Sequence, residues 1–304
     1  MIRGLALAAL VLLGAAGPSS PPPLLLREQA WTAPDADLAY ALTHGPGECL
    51  ARRDSPAEIG RALFRSPALL GGPAARVGLS CHACHSNGRV NTHFLLLELS
   101  DRAGHADVTS AWASKTRGDG VDNPIAIPDL AGASTRAGFG RAREPSLEIF
   151  VRGVIEEEFQ GAPPPAQAFD GLIAYLRALN ADACPVGDAR IDLSAAADDV
   201  RRALGAARAA DAPSASLALL ATQDALGRIA ERLPARTFAP ERRRLEGLAR
   251  DIAGLRDVGA GIGPALEAAA PGWLARFDAA ISRIARRERS TYFNEAKLRD
   301  ALSP

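Results

Sequence analysis

Five consecutive residues, Cys81-His82-Ala83-Cys84-His85, form the densest group of reactive side chains in the sequence. C-x-x-C-H is the spacing at which a c-type haem is attached. Two thiols three positions apart can form thioethers to one edge of a porphyrin, while the next imidazole turns beneath the ring and supplies an axial nitrogen. On this reading Cys81 and Cys84 hold one covalent haem c and His85 is its proximal iron ligand. Two other chemistries use C-x-x-C: a dithiol redox pair, which wants a strand before it and a helix after it, and part of a zinc site. Neither accounts for a histidine directly behind the second cysteine.

Haem of this kind is attached outside the bacterial cytoplasm, so an export signal is expected at the N-terminus. Arg3 gives a short positive region, Leu5 through Leu13 form an apolar run too short to span a bilayer, and Gly14-Ala15-Ala16-Gly17 offers a small-residue cleavage site. Residues 1–17 therefore read as a signal peptide, with an uncleaved anchor as the alternative. No cysteine stands at the cleavage site, which argues against a lipoprotein. Pro18 to Pro23 reads as a stiff leader. The expected location is the periplasm, with a soluble mature chain that meets the membrane only through a redox partner. Cys49 and Cys184 remain once the haem has its pair, and in an oxidising compartment the simplest expectation is a disulfide. Two free thiols, or a cysteine ligand to the iron, are the alternatives.

The elements that must position this motif are helical. Of 304 residues, 47% are hydrophobic, ample for two compact domains. The 35 basic and 35 acidic side chains cancel, so nothing points to nucleic acid, and 5% aromatics argues against a stacking platform. The pattern predicts a helix over Pro56 to Arg65, with Ser55 as N-cap and Ile59, Leu63 and Phe64 inward. A second, capped by Ser146, runs from Leu147 to about Phe159 with Ile149, Phe150, Val154 and Ile155 inward. A third runs from Ala166 to Leu179 and presents Phe169, Leu172, Ile173, Leu176 and Leu179. Gly60 lets another helix cross closely, with Phe64 beside the crossing. These elements bound a haem domain over 24–188. Beyond it, the 189–304 region has neither cysteine nor histidine, and stripes such as Leu245, Leu248, Ile252 and Leu255 predict helices over 195–209, 215–233, 240–256, 265–287 and 294–302. That reads as an antiparallel helical bundle or a helical wrap on the first domain.

The run Gly60-Arg61-Ala62-Leu63-Phe64 followed by Leu79-Ser80-Cys81-His82-Ala83-Cys84-His85 resembles the opening of a haem domain in the bacterial di-haem cytochrome c peroxidase and MauG superfamily. Asp170 through Leu179 resembles the closing helix of class I cytochromes c, and Ile127-Pro128-Asp129-Leu130 and Pro145-Ser146-Leu147-Glu148 resemble that superfamily's approach to its final helices. The likeness covers roughly 58–180. It implies an all-α chain, with a class I cytochrome c-like haem domain before the helical bundle, and places Gly60, Phe64 and Tyr175 at a helix crossing. Two departures stand out. Those peroxidases need two haems, and this chain has one C-x-x-C-H; class I cytochromes use a distal methionine, and the only methionine here is Met1.

The sixth iron position therefore falls to another group. His105, in a glycine-containing loop, is the first candidate for a second metal ligand; His93 and His44 follow, and an open or water-bound iron is the alternative. Arg89, close behind the motif, is the leading candidate to bind a haem propionate, ahead of Arg117 and Arg136. Asp119 to Asn123 has oxygen side chains at calcium-like spacing but lacks a full loop signature and reads as a capped turn. The expected function is single-electron transfer between periplasmic redox proteins, with a peroxidase-like enzyme or haem ligand sensor as the rival.

Overall fold

The computed structural model describes residues 25–34 and 37–303. The expected signal peptide and the Pro18–Pro23 leader lie outside the described residues. The chain is predominantly α-helical, with a long helical C-terminal stretch. Its helices are α1 (Leu38–Thr43), α2 (Ser55–Phe64), α3 (Gly72–Arg76), α4 (Cys81–Cys84), α5 (Leu147–Gly153), α6 (Ala166–Ala178), α7 (Leu193–Arg208), α8 (Ala212–Glu231), α9 (Ala239–Arg256), α10 (Ile262–Ala285) and α11 (Glu295–Leu302). Two small antiparallel pairs join β1 (His44–Pro46) to β4 (Asp188–Arg190) and β2 (His105–Ala106) to β3 (Ile125–Ala126). Among the described residues no helix is long and apolar enough to cross a membrane.

Helix α2 starts one residue earlier than its pattern suggests. Asp54, not Ser55, is the N-cap, its Oδ1 accepting the Ala57 N–H at 3.0 Å, and Pro56 fills the first turn, where its missing N–H costs nothing. The helix buries Ile59, Leu63 and Phe64 and crosses α6, where Phe64 and Tyr175 meet with ring centroids 5.1 Å apart. Glycine is required at the crossing: a Cβ on Gly60 would sit 2.0 Å from the Gly171 carbonyl oxygen.

Ser146 caps α5 through its Oγ, which accepts from Ile149 N at 3.3 Å. The helix widens into a π-helical turn over Val154–Glu158. Leu147 and Ile155 go inward, whereas Ile149, expected in the core, is 58% exposed.

Pro213 lies in the first turn of α8, capped by Asp211, and Pro264 in that of α10, so both helices begin three residues before the expected start. One apolar cluster runs without a break from α2 and α6 into α7, α8, α9 and α10. The change of composition at 189 therefore falls within a shared interior. β1–β4 pairing and a Cys49–Cys184 disulfide, closing a separation of 135 residues, tie the start of the haem-motif region to its end.

Gly60→Ala is expected to lower stability by about 1–3 kcal/mol in urea unfolding, because backbone faces the added methyl. Gly205→Ala in α7, where a Cβ meets nothing within 4 Å, should instead gain about 0.5–1 kcal/mol. Cys49→Ser with Cys184→Ser should lose about 2–4 kcal/mol and lower Tm.

Candidate functional site

Helix α4 is one turn long and consists of the motif itself. The His85 N–H donates to Cys81 O at 2.9 Å, which closes that turn and brings residues 81, 84 and 85 to one face of it. Cys81 and Cys84 are free thiols. Burial pushes Cys81 up to about 12 and raises Cys84 as well. A dithiol redox pair needs a thiolate near neutral pH, so this environment opposes that alternative. Among the described residues no three His, Cys, Asp or Glu side chains come together as a metal-binding group. A haem iron needs no such group, because the porphyrin supplies four of its ligands.

The His85 ring is held by one backbone contact. Its Nδ1 lies 3.0 Å from the Pro128 carbonyl oxygen, which can only accept, so Nδ1 carries the proton and Nε2 keeps a lone pair. Burial brings its pKa down to about 4, which keeps the ring neutral at physiological pH. Surrounding side chains are apolar. Cys81 touches both the main core and a second cluster formed by Trp31, Leu79, Phe94, Leu99, Ile127 and Phe159. The motif thus lies where two apolar surfaces meet, the environment that a flat, largely apolar macrocycle requires.

Arg89 is brought close to the motif but is already engaged. Its guanidinium pairs with Asp129 and reaches Cys49 Sγ at 3.6 Å, while Arg136 bonds the Asp129 carbonyl. Both arginines therefore brace the segment that carries the Pro128 carbonyl. Arg117 is engaged elsewhere, by Glu157 at 2.6 Å and Glu158 at 3.3 Å.

His105 stands in β2 opposite Ala126, with Nε2 2.9 Å from Arg102 Nη2 and Nδ1 3.3 Å from the Ala103 carbonyl. Arginine can only donate, so it occupies the lone pair that an iron would need, and none of these bonds joins His105 to the motif. His44 stacks on Tyr40 at 4.3 Å and bonds Thr43 Oγ1 at 3.1 Å. His93 is the one histidine whose ring makes no hydrogen bond among the described residues. The Asp119 carboxylate accepts Val121 N–H at 2.8 Å, the capped turn expected there. Trp273 is a packing residue, buried and donating to Leu248 O at 3.1 Å.

A buried ion network under the motif was not foreseen in the sequence. Arg61, 5% exposed, donates through Nε to Glu48 at 2.8 Å and through Nη2 to Asp199 at 2.6 Å. Arg202 grips Glu58 with two bonds of 2.7 Å and reaches Glu48 at 3.2 Å, and the Tyr175 hydroxyl also donates to Glu48, at 2.9 Å. Burial alone would raise the Glu48 carboxyl, but Arg65, Arg61 and Arg202 overcome it and bring it down to about 2. Helical spacing holds the missed signal: Arg61 and Arg65 are four residues apart on α2, and Asp199 and Arg202 three apart on α7, so each pair shares a face. Behind the loop, His82, Asn91, Arg27, Arg65 and Arg228 line a cleft of about 80 Å³.

Comparison with known proteins brings no match: no family model, no curated protein and no solved structure is significantly similar to the chain.

Because the folded Glu48 pKa lies below its ordinary 4.5, the stabilisation it gives is complete above that value and fades as pH falls toward 2. Acid unfolding followed by circular dichroism should show that loss over this window. Glu48→Gln should flatten the slope there and cost about 3–5 kcal/mol at pH 7, since it leaves buried arginines short of charge.

Proposed function

We propose that this chain is a monohaem c-type cytochrome of the periplasm, with a class I cytochrome c-like haem domain, which carries single electrons between redox partners. One observation carries the reading: the C-x-x-C-H spacing occurs with His85 Nδ1 bound to the Pro128 carbonyl, leaving Nε2 for a metal. Haem c, when bound, supplies a one-electron iron couple whose potential depends on axial ligation and burial. The Cys81 and Cys84 sulfurs would anchor it, and His85 would ligate the iron. Pro128 fixes the tautomer and orientation of the His85 ring, and the Arg89–Asp129 pair holds Pro128 in place. Cys81 and Cys84 pack against apolar side chains, which disfavours uncompensated charge there. The Gly60 crossing, with Phe64 on Tyr175, is the arrangement that the resemblance to class I cytochromes c implies.

A second reading, a peroxidase-like enzyme or haem ligand sensor with an open sixth position, is favoured by a specific observation. The only methionine is Met1, and the His105 Nε2 accepts from Arg102.

Protein matured with covalent haem separates the two. A six-coordinate low-spin spectrum unchanged by carbon monoxide is expected for the carrier, and a high-spin spectrum that binds carbon monoxide would transfer the assignment to the second reading. Cys81→Ala with Cys84→Ala should abolish covalent attachment, read as haem lost on acid–organic extraction. Wild-type chain without covalent haem would end both readings.

A further inference from the structure

The ion network between α2 and α7 continues to the attachment loop. Asp199, contributed by the C-terminal helices, accepts from Arg65 Nη1 at 3.2 Å as well as from Arg61. Arg65 Nη2 donates to the side-chain oxygen of Asn87. Asn87, two residues beyond His85, holds a left-handed φ of 54°; its N–H donates to His82 Nδ1 at 3.0 Å and its side-chain nitrogen to Pro46 O at 2.6 Å. Three contacts in series therefore connect a carboxylate of the bundle to a residue between the two motif cysteines.

The pair is unevenly compensated. Asp199 is shared by Arg61, Arg65 and, at 3.8 Å, Arg228, and the Arg65 Nε is buried with no partner. The field of these groups reaches the loop: after burial, Arg65 and Arg228 hold the His82 ring well below its ordinary range, and Asp199 pulls the other way. A positive charge near a haem favours its reduced form and a negative charge its oxidised form, and a dry environment screens either effect weakly.

We propose that the C-terminal bundle is a working part of the haem site: the Asp199–Arg65 ion pair, relayed to the attachment loop through Asn87 and His82, sets the reduction potential of the haem. This rests on the haem reading above. Arg65 and Asp199 are positioning residues, since neither is placed to touch the iron, and they act with opposite sign. That sign distinguishes an electrostatic role from a structural one, because a loosened loop moves the potential one way whichever partner is removed.

The test is spectroelectrochemical titration of matured protein carrying Asp199→Asn, Arg65→Gln or both. Asp199→Asn should raise the equilibrium constant for reduction and Arg65→Gln should lower it, each on the order of threefold to tenfold, with the double variant near wild type. Shifts in the same direction, or no shift in either variant, overturn the proposal. If a neutralised variant fails to mature, the charge-preserving Arg65→Lys and Asp199→Glu decide. A retained potential with faster exchange of the Asn87 N–H supports it, and a displaced potential refutes it. Wild-type chain without covalent haem is a separate result, which defeats the haem reading itself.

Discussion

The Gly60–Gly171 contact sets the distance on which the other parts depend. With no Cβ between them, α2 and α6 approach until the Gly60 position abuts the Gly171 carbonyl, and Phe64 closes on Tyr175. That approach places the Tyr175 hydroxyl on Glu48, and Glu48 on Arg61 one residue after the glycine. One close crossing thus aligns an apolar core on one side of α2 and an ionic contact on the other. A larger residue at position 60 would separate both.

The ionic side explains how the two compositional halves form one interior. Arg61, Arg65, Asp199 and Arg202 are costly to bury, and they are tolerated because the arginines donate to Glu48, Glu58, Asp199 and the Asn87 side chain. Such a contact is directional in a way that the surrounding alanine- and leucine-rich surfaces are not. It fixes how α7 lies on α2, whereas apolar surface alone would allow sliding. Arg27 adds a second clamp of the same kind, holding the N-terminal segment to Asp224 and to Glu231 at 2.6 Å on α8.

At the motif, the decisive groups are backbone. The Pro128 carbonyl selects the His85 tautomer, and the segment bearing it is held by Arg89, Arg136 and a Leu130 N–H bond to Gly88 O at 2.9 Å. Residues more than 40 positions after the motif therefore set the direction of its histidine. The proposed cofactor would enter a site whose polar demands are already met by the chain, with one imidazole nitrogen left over.

Local chemistry was legible in the sequence: C-x-x-C-H, the Ser146 cap, the Pro56 first turn, the stripes that define α7 to α10, and the glycine that a close crossing needs. These follow from spacing along a single helix or turn, which the chain carries wherever it folds. The disulfide was legible too, by elimination among four cysteines. Tertiary structure alone decided what depends on distant segments meeting. It committed Arg89 to Asp129 and His105 to Arg102, left Ile149 exposed, and assembled Glu48, Arg61, Asp199 and Arg202 from three parts of the chain. An arginine in sequence shows a charge but not its partner, because the side chain is long and the partner's distance is fixed only when helices pack.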